Sequence, residues 1–359
     1  MSFWLPTPAQ LSAQQREIIN SDLSGYNFIT GPAGSGKTVV GIYKLKELVS
    51  AGRTRVLYLM YNHSLYGFIK NGSNSINLSN VFTKDSFLWK LHYAITRRLI
   101  DWGRNSYEDV YEGILLRLLS SSNLPSYDLI IIDECQDLNS LEVQLLKKMS
   151  KNIMFLGDFH QSVYKNRIRF EELGVQREIR LRKIYRYGAK ILDFAKLFST
   201  DSNFHGAADL IAAPKPNETV YLHIDDHETK GTILALIEKY QREKKRVALL
   251  TPVIAQLSSF SSNLRTFSGE GNKELQNFNF DLPVGLTVVN SKGLEFDAVI
   301  VFGFDREIER SISQKPTEMA YVGCTRARTN LHFFINEKTI GNIRTSALNA
   351  NKSDVVFAY

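Results

Sequence analysis

Sulfur is scarce in this sequence: two cysteines and five methionines among 359 residues. Cys135 and Cys324 are too few for a disulfide framework or a cysteine-rich metal centre. A reducing, cytoplasmic setting is therefore expected. Long apolar runs are also missing. No stretch approaches the roughly 18 uncharged residues of a membrane span, so no membrane contact is expected. The opening residues lack the basic start and apolar core of a signal peptide. Repeats and low-complexity tracts are absent as well. What remains is the composition of a globular protein, 43% hydrophobic and 23% charged, with a net charge of +7. That charge suits a polyanionic partner without requiring one.

Apolar strand-like runs alternate with helix-like runs from end to end, which predicts an α/β fold with parallel sheets. In the first half the runs fall at residues 26–30, 55–60, 129–132 and 153–156. The pattern pauses near residues 171–176. A second series follows at 179–184, 219–224, 247–250, 286–289, 298–301 and 331–334. Two α/β domains are expected, 1–176 and 177–359.

The strongest local signal is Gly31-Pro32-Ala33-Gly34-Ser35-Gly36-Lys37-Thr38, which fits the phosphate-binding pattern G-x-x-x-x-G-K-[ST]. An apolar strand precedes it and a helix over 38–50 follows. Glycines let successive backbone N–H groups face a phosphate, and the helix N-terminus adds positive partial charge. Lys37 is placed to reach the β- and γ-phosphates of ATP, and Thr38 to ligate Mg²⁺. At the end of the run 129–132 stand Asp133 and Glu134. An acid there can hold Mg²⁺ opposite Thr38, and its neighbour can take a proton from attacking water. Asp133 is expected on the metal and Glu134 as the base.

Further motifs choose among P-loop enzymes. The chain resembles the UvrD/Rep/PcrA group of superfamily 1 DNA helicases, in its compact form, across seven segments in the family's order. Leu11-Ser-Ala-Gln-Gln15 is similar to the adenine-reading segment, which puts Gln15 on the base. The phosphate loop comes next. Asp133-Glu-Cys-Gln-Asp137 is the helicase form of the acidic strand end. Gly157-Asp-Phe-His-Gln161-Ser-Val-Tyr164 is similar to the third motif, whose glutamine senses the γ-phosphate. Tyr185-Arg186 resembles the fourth: Tyr185 stacks on adenine and Arg186 faces the γ-phosphate. Ser291-Lys-Gly-Leu-Glu295-Phe matches the fifth, which adds Glu295 to the nucleotide site. Tyr321-Val-Gly-Cys-Thr-Arg326-Ala matches the sixth, with Arg326 as a second arginine finger.

The resemblance implies two RecA-like domains around one ATP, and an ATPase that moves along single-stranded DNA, 3′→5′, with RNA left open. It places Tyr61, Asn62, Thr83, Phe87, Tyr164 and Arg167 along the nucleic acid. The sequence departs from the family on that side. Asn166 stands where an aromatic stacks on a base, and Val289 and Asp85 stand where histidines are usual. Those departures keep a second reading open, an ATP-dependent switch that grips nucleic acid or a partner without unwinding. A P-loop kinase or metabolic ATPase would leave Gln161, Arg186 and Arg326 unexplained. Where larger relatives carry insertion domains, this chain has a short stub and almost nothing. A protein partner, such as a nuclease or other effector, is therefore expected at residues 65–127 or at the apolar end, 355–359.

Overall fold

A computed structural model of the chain describes residues 5–60, 78–101, 106–159, 168–199, 211–224, 228–262, 264–267, 282–309, 312, 315–352 and 354–358. Among the described residues the strands are β1 (Tyr26–Thr30), β2 (Val56–Met60), β3 (Val81–Thr83), β4 (Leu129–Ile132), β5 (Ile153–Gly157), β6 (Arg177–Arg180), β7 (Lys183–Ile184) and β8 (Ile211–Ala212). They continue with β9 (Thr219–Ile224), β10 (Val247–Thr251), β11 (Arg265–Thr266), β12 (Val284–Thr287), β13 (Phe296–Val301), β14 (Ala327–Ile335) and β15 (Val355–Ala358).

They form two large parallel sheets, ordered β3-β2-β4-β5-β1-β6 and β11-β12-β10-β13-β14-β9-β15, and a small pair, β7-β8. Every residue of β2, β4, β5 and β10 is buried. Helices on both faces exclude water from such strands, so their sequences read as continuous apolar runs and not as alternation. In the first sheet Leu57, Leu59, Ile130 and Ile132 pack to one side against the helices Lys84–Thr96, Tyr107–Leu119 and Ser140–Met149. Tyr58, Ile131, Met154 and Leu156 pack to the other, against Ala13–Asn20 and Lys37–Ser50.

The residues that follow position 176 extend the first sheet. β6 pairs in parallel with β1, and the Leu181 N–H donates to the Thr30 carbonyl at 2.7 Å. Residues 177–181 thus complete the first sheet, and β7 pairs instead with β8. Arg177-Glu-Ile-Arg180 has the mixed pattern of a solvated edge strand, which in sequence cannot be assigned to one sheet or the other. Two other differences are local. β3 is too short to stand out as an apolar run. β12 ends at Thr287, so Val288 and Val289 lie in the buried turn beyond it.

One buried polar chain crosses the second sheet. His332 Nδ1 lies 2.9 Å from His223 Nε2, and His332 Nε2 lies 2.7 Å from the Tyr240 hydroxyl. Tyr221 stacks on the His332 ring at 4.5 Å. Burial, followed by His223 and Lys239, pushes the His332 pKa down to about 3. The folded state therefore holds this imidazole neutral where the unfolded chain protonates it. Between about pH 6.5 and the depressed value only the unfolded state carries the proton, so its contribution is full above that range and falls with pH. The loss should reach about 1.4 kcal/mol per pH unit. Urea unfolding at pH 7, 6 and 5 should show this slope, and His332→Gln should make it shallower.

Candidate active site

The phosphate loop joins β1 to the helix Lys37–Ser50, and two glycines in it have left-handed backbone. Gly34 has φ 78° and Gly36 has φ 92°. A Cβ on Gly34 would lie 2.5 Å from the Arg186 Cβ, and one on Gly36 would lie 2.4 Å from Gln15 Nε2. Each missing methyl thus permits both the turn and the close approach of another site residue. Ser12 caps its helix and exchanges hydrogen bonds with Gln15, which in turn donates from Nε2 to the Ser35 carbonyl at 3.3 Å. Lys37, 7% exposed, donates to the carbonyls of Gly31 and Pro32 at 2.6 and 3.2 Å. Ser35 Oγ is buried and has no hydrogen-bond partner among the described residues, which leaves a polar atom in the loop for a ligand.

β4, separated from β1 by β5, delivers the two acids. Asp133 is buried beside the Thr38 hydroxyl, which favours its ionised form, and accepts from the Tyr58 hydroxyl at 3.1 Å. Burial and then the neighbouring Glu134 push its pKa up. Glu134 has φ 55° and ψ 46°, a left-handed conformation that costs a non-glycine residue about 1–3 kcal/mol. Gln136 Nε2 donates to Glu134 Oε2 at 2.6 Å. Burial alone would raise the Glu134 pKa. Lys37, Lys292, the Gln136 hydrogen bond and Arg326 outweigh it and hold the pKa below the usual value. The second acid is thus ionised by cations from both domains.

The second domain presents its side of the cleft from three segments. The Tyr185 N–H donates to the Gly34 carbonyl at 2.9 Å, so the backbone of this segment touches the phosphate loop. Arg186 Nε donates to Glu295 Oε2 at 3.0 Å, and its Nη1 to the Thr325 carbonyl at 3.2 Å. Arg326, 1% exposed, donates from Nε to the Val322 carbonyl at 3.0 Å. Burial, then Arg186, lower its pKa to about 10, so it remains a cation at neutral pH. Lys292 Nζ lies 3.0 and 2.7 Å from the two carboxylate oxygens of Asp137, with side-chain exposures of 2% and 0%. Gln15, Lys37, Thr38, Glu134, Tyr185, Arg186, Glu295 and Arg326 all line one cavity of about 300 Å³ between the domains.

Sequence reasoning missed four of the residues that shape this cavity or join its walls. Arg328 lines it, 3.5 Å from Glu295 Oε1. Gln10 lines it from before the first helix. Asp137 and Lys292 lie inside the quoted motifs, and their opposite charges were the only signal that they meet.

The expected nucleic-acid residues fare differently. Phe87 is buried at 6% exposure and packs against Phe82 and Tyr127, so it belongs to the core and has no free face for a base. Thr83 is also buried, and its hydroxyl caps the helix Lys84–Thr96 by accepting from the Ser86 N–H. The sequence pattern could not separate these roles because helix caps and core aromatics recur at the same spacings. Tyr61, Asn62, Gln161, Tyr164 and Arg167 lie outside the described residues, as does Asn166. Val289 lies in the core of the second domain, and Asp85 accepts from the Tyr107 hydroxyl at 3.1 Å.

With that geometry in place, the chain belongs to the superfamily 1 helicases. The model of the viral superfamily 1 RNA helicase core domain matches residues 109–335, and one described as an AAA domain matches residues 15–167. Neither singles out the UvrD/Rep/PcrA branch. The fold is that of two RecA-like domains with parallel sheets. Comparison with curated proteins finds no match. Similar solved structures include the helicase of PRRSV, at 15% identity and TM-score 0.43, covering 89% of this chain and 54% of that one. The arterivirus nonstructural protein 10 helicase matches at 14% and 0.44, covering 90% and 61%. The C-terminal domain of a possible DNA helicase from Lactobacillus plantarum matches at 16% and 0.35, covering 49% and 99%. This chain therefore spans little more than half the length of the two viral structures, and at such TM-scores none of the three bears on substrate.

The ion pair between the domains yields a direct test. Removing one partner of a buried pair leaves an uncompensated charge and typically costs about 3–5 kcal/mol, whereas an apolar pair of similar volume is often tolerated. Lys292→Met should therefore destabilise the chain strongly in urea unfolding, and adding Asp137→Leu should recover most of the loss. A double variant no more stable than Lys292→Met would show that the pair does not act as a unit.

Proposed function

We propose that this chain is an ATP-hydrolysing motor that moves along single-stranded nucleic acid. One observation carries the reading: Lys37 and Glu134 from the first domain and Arg186 and Arg326 from the second line the same cavity. In this reading Gln15 and Tyr185 hold adenine, Glu295 completes the nucleotide site, and the loop amides with Lys37 hold the phosphates. Glu134 accepts the proton of the attacking water. Arg186 and Arg326 stabilise charge on the γ-phosphoryl group, a role for which arginine fingers supply about 10³–10⁵ in rate.

The donor set fits Mg²⁺. Thr38 and Asp133 supply a hydroxyl and a carboxylate side by side, and Mg²⁺ favours one or two protein oxygens completed by phosphate and water. When bound there it would neutralise charge on the β- and γ-phosphates. Hydrolysis and product release remove the group that both arginines grip, which frees the second domain to shift. Repeated opening and closing is the step of a translocase.

For the track we propose single-stranded DNA, with 3′→5′ movement, on the resemblance of the seven motifs to the UvrD group alone. RNA is the second reading, favoured by the match to a viral RNA helicase core over residues 109–335. The switch reading draws on the Asn166 and Val289 departures from the family pattern and on the interior position of Phe87, which removes one stacking candidate. A protein partner such as a nuclease remains part of the proposal. At the apolar end it would meet β15, an edge strand paired in parallel with β9 on its inner side. Among the described residues no helix is long and apolar enough to cross a membrane.

ATPase rates with and without single-stranded DNA and RNA test the proposal, read beside displacement of a tailed duplex. Stimulation by one polymer with directional movement is expected, and binding should weaken with salt at a slope near −0.7 per phosphate neutralised. Stimulation without movement would favour the switch.

The two catalytic assignments in the first domain separate by variant. Lys37→Ala should lower nucleotide affinity and turnover together, because it deletes a phosphate contact. Glu134→Gln should still bind ATP and trap it, since only the base is lost. Near-normal steady-state turnover in Glu134→Gln would remove Glu134 from that role.

A further inference from the structure

Lys215 and Glu218 sit outside every motif, on the chain that returns from β8 to β9, and both are turned toward Tyr185-Arg186. Lys215 Nζ donates to the Tyr185 carbonyl at 2.9 Å and also to the Arg186 carbonyl. Glu218, 4% exposed, accepts at Oε1 from the Gly188 N–H at 2.6 Å and at Oε2 from the Lys190 N–H at 3.1 Å. Four backbone groups around one arginine are thereby held by two charged side chains three residues apart.

The surrounding backbone is built for this grip. β7 runs directly into Tyr185 and pairs with β8, Lys183 opposite Ile211 and Ile184 opposite Ala212. The turn between the two side chains closes with the Glu218 N–H on the Lys215 carbonyl at 3.3 Å and with Asn217 left-handed at φ 63°. Asparagine tolerates that conformation better than most side chains. Gly188 leaves room for the carboxylate, because a Cβ there would lie 2.5 Å from Glu218 Oε2. The helix Ala189–Lys196 has no side-chain cap of its own, so Glu218 satisfies amides that would otherwise be unpaired at its N-terminus. Lys215 is half-buried, which lowers its pKa, although Glu218 and Glu295 favour its charge. An ammonium that spends its donors on two consecutive carbonyls fixes the peptide planes on both sides of the Arg186 Cα. Neither residue lines the nucleotide cavity.

We propose that Lys215 and Glu218 are positioning residues for Arg186: they lock the backbone that aims its guanidinium across the cleft, and so set the rate of hydrolysis without touching nucleotide. The inference rests on the reading of Arg186 as an arginine finger. Small misplacements of a catalytic group can cost on the order of 10–100-fold in rate. Lys215→Met keeps the aliphatic stem and removes the donors.

The test is a double-mutant cycle on the full chain, read as kcat and KM for ATP at saturating single-stranded nucleic acid. Lys215→Met should lower kcat on the order of tenfold or more, with a smaller change in KM. Lys215→Arg, which retains cationic donors, should recover much of the rate. In an Arg186→Ala background Lys215→Met should cost nothing further, because the group it aims is gone. Should Lys215→Met fail to fold, Lys215→Gln, which keeps a donor for one carbonyl, goes through the same cycle. Losses that multiply in full in the double variant, or an unchanged kcat in the single one, would overturn the positioning role while leaving the finger intact. Wild-type turnover in Arg186→Ala itself would remove the finger, and the inference with it.

Discussion

The buried contact between Lys292 and Asp137 ties the two walls of the cleft to each other. Asp137 lies one short turn beyond Glu134, and Lys292 lies three residues before Glu295, so the ion pair joins the segment that carries Glu134 to a segment that lines the opposite wall. Two exposed charges at this distance would gain little, since water screens them. Here both side chains are almost fully excluded from solvent. Desolvation offsets much of the attraction, so the pair is weak evidence for stability and stronger evidence for registry. A closed cleft in any other alignment would strand a lysine or an aspartate in the interior. Closure is therefore steeply selective for one register, and the same contact places the Lys292 charge where it helps hold Glu134 ionised.

Local conformational cost is concentrated at the same place. Glu134 occupies a left-handed backbone position at the end of a strand, and Gly34 and Gly36 bend the phosphate loop into similar regions. The Glu134 conformation is not a low-energy choice for an isolated segment, whereas glycine reaches this region without a steric penalty. Each is imposed by neighbours: the Asp133 carboxylate accepts from the Glu134 N–H at 3.1 Å, and Gln15 and Arg186 fill the space the glycines leave. Strain held by surrounding structure is common where a side chain must be aimed rather than merely packed.

Much of this was legible in the residues alone, for identifiable reasons. Fully covered parallel strands are apolar at every position, so β4 and β5 stood out; β6 was read only in part, as the start of the run 179–184 given to the second series, and the three residues of β3 not at all. The phosphate loop is a local object whose function is carried by its own backbone, and eight consecutive residues sufficed to read it. The cluster around Arg186 is not local. Lys215 and Glu218 lie about 30 residues away in sequence, in a turn with no apolar pattern, and only the pairing of β7 with β8 brings them back. Phe87 illustrates the converse, a residue whose spacing suited a stacking role and whose surroundings made it part of the core.

Glu295 carries a consequence of its own. Its two oxygens face two guanidinium groups, Arg186 at 3.0 Å and Arg328 at 3.5 Å. In the proposed cycle Arg186 does not leave water to meet a phosphate, because it already rests on an anion. Engaging nucleotide becomes an exchange of one anionic partner for another, with Arg328 remaining to neutralise the carboxylate left behind. Much of the desolvation of Arg186 is already met before such a swap begins, since its side chain is only 14% exposed where it rests on Glu295. A finger poised in this way can let go as readily as it grips, and a reversible grip is what a machine that must reset after every turnover requires.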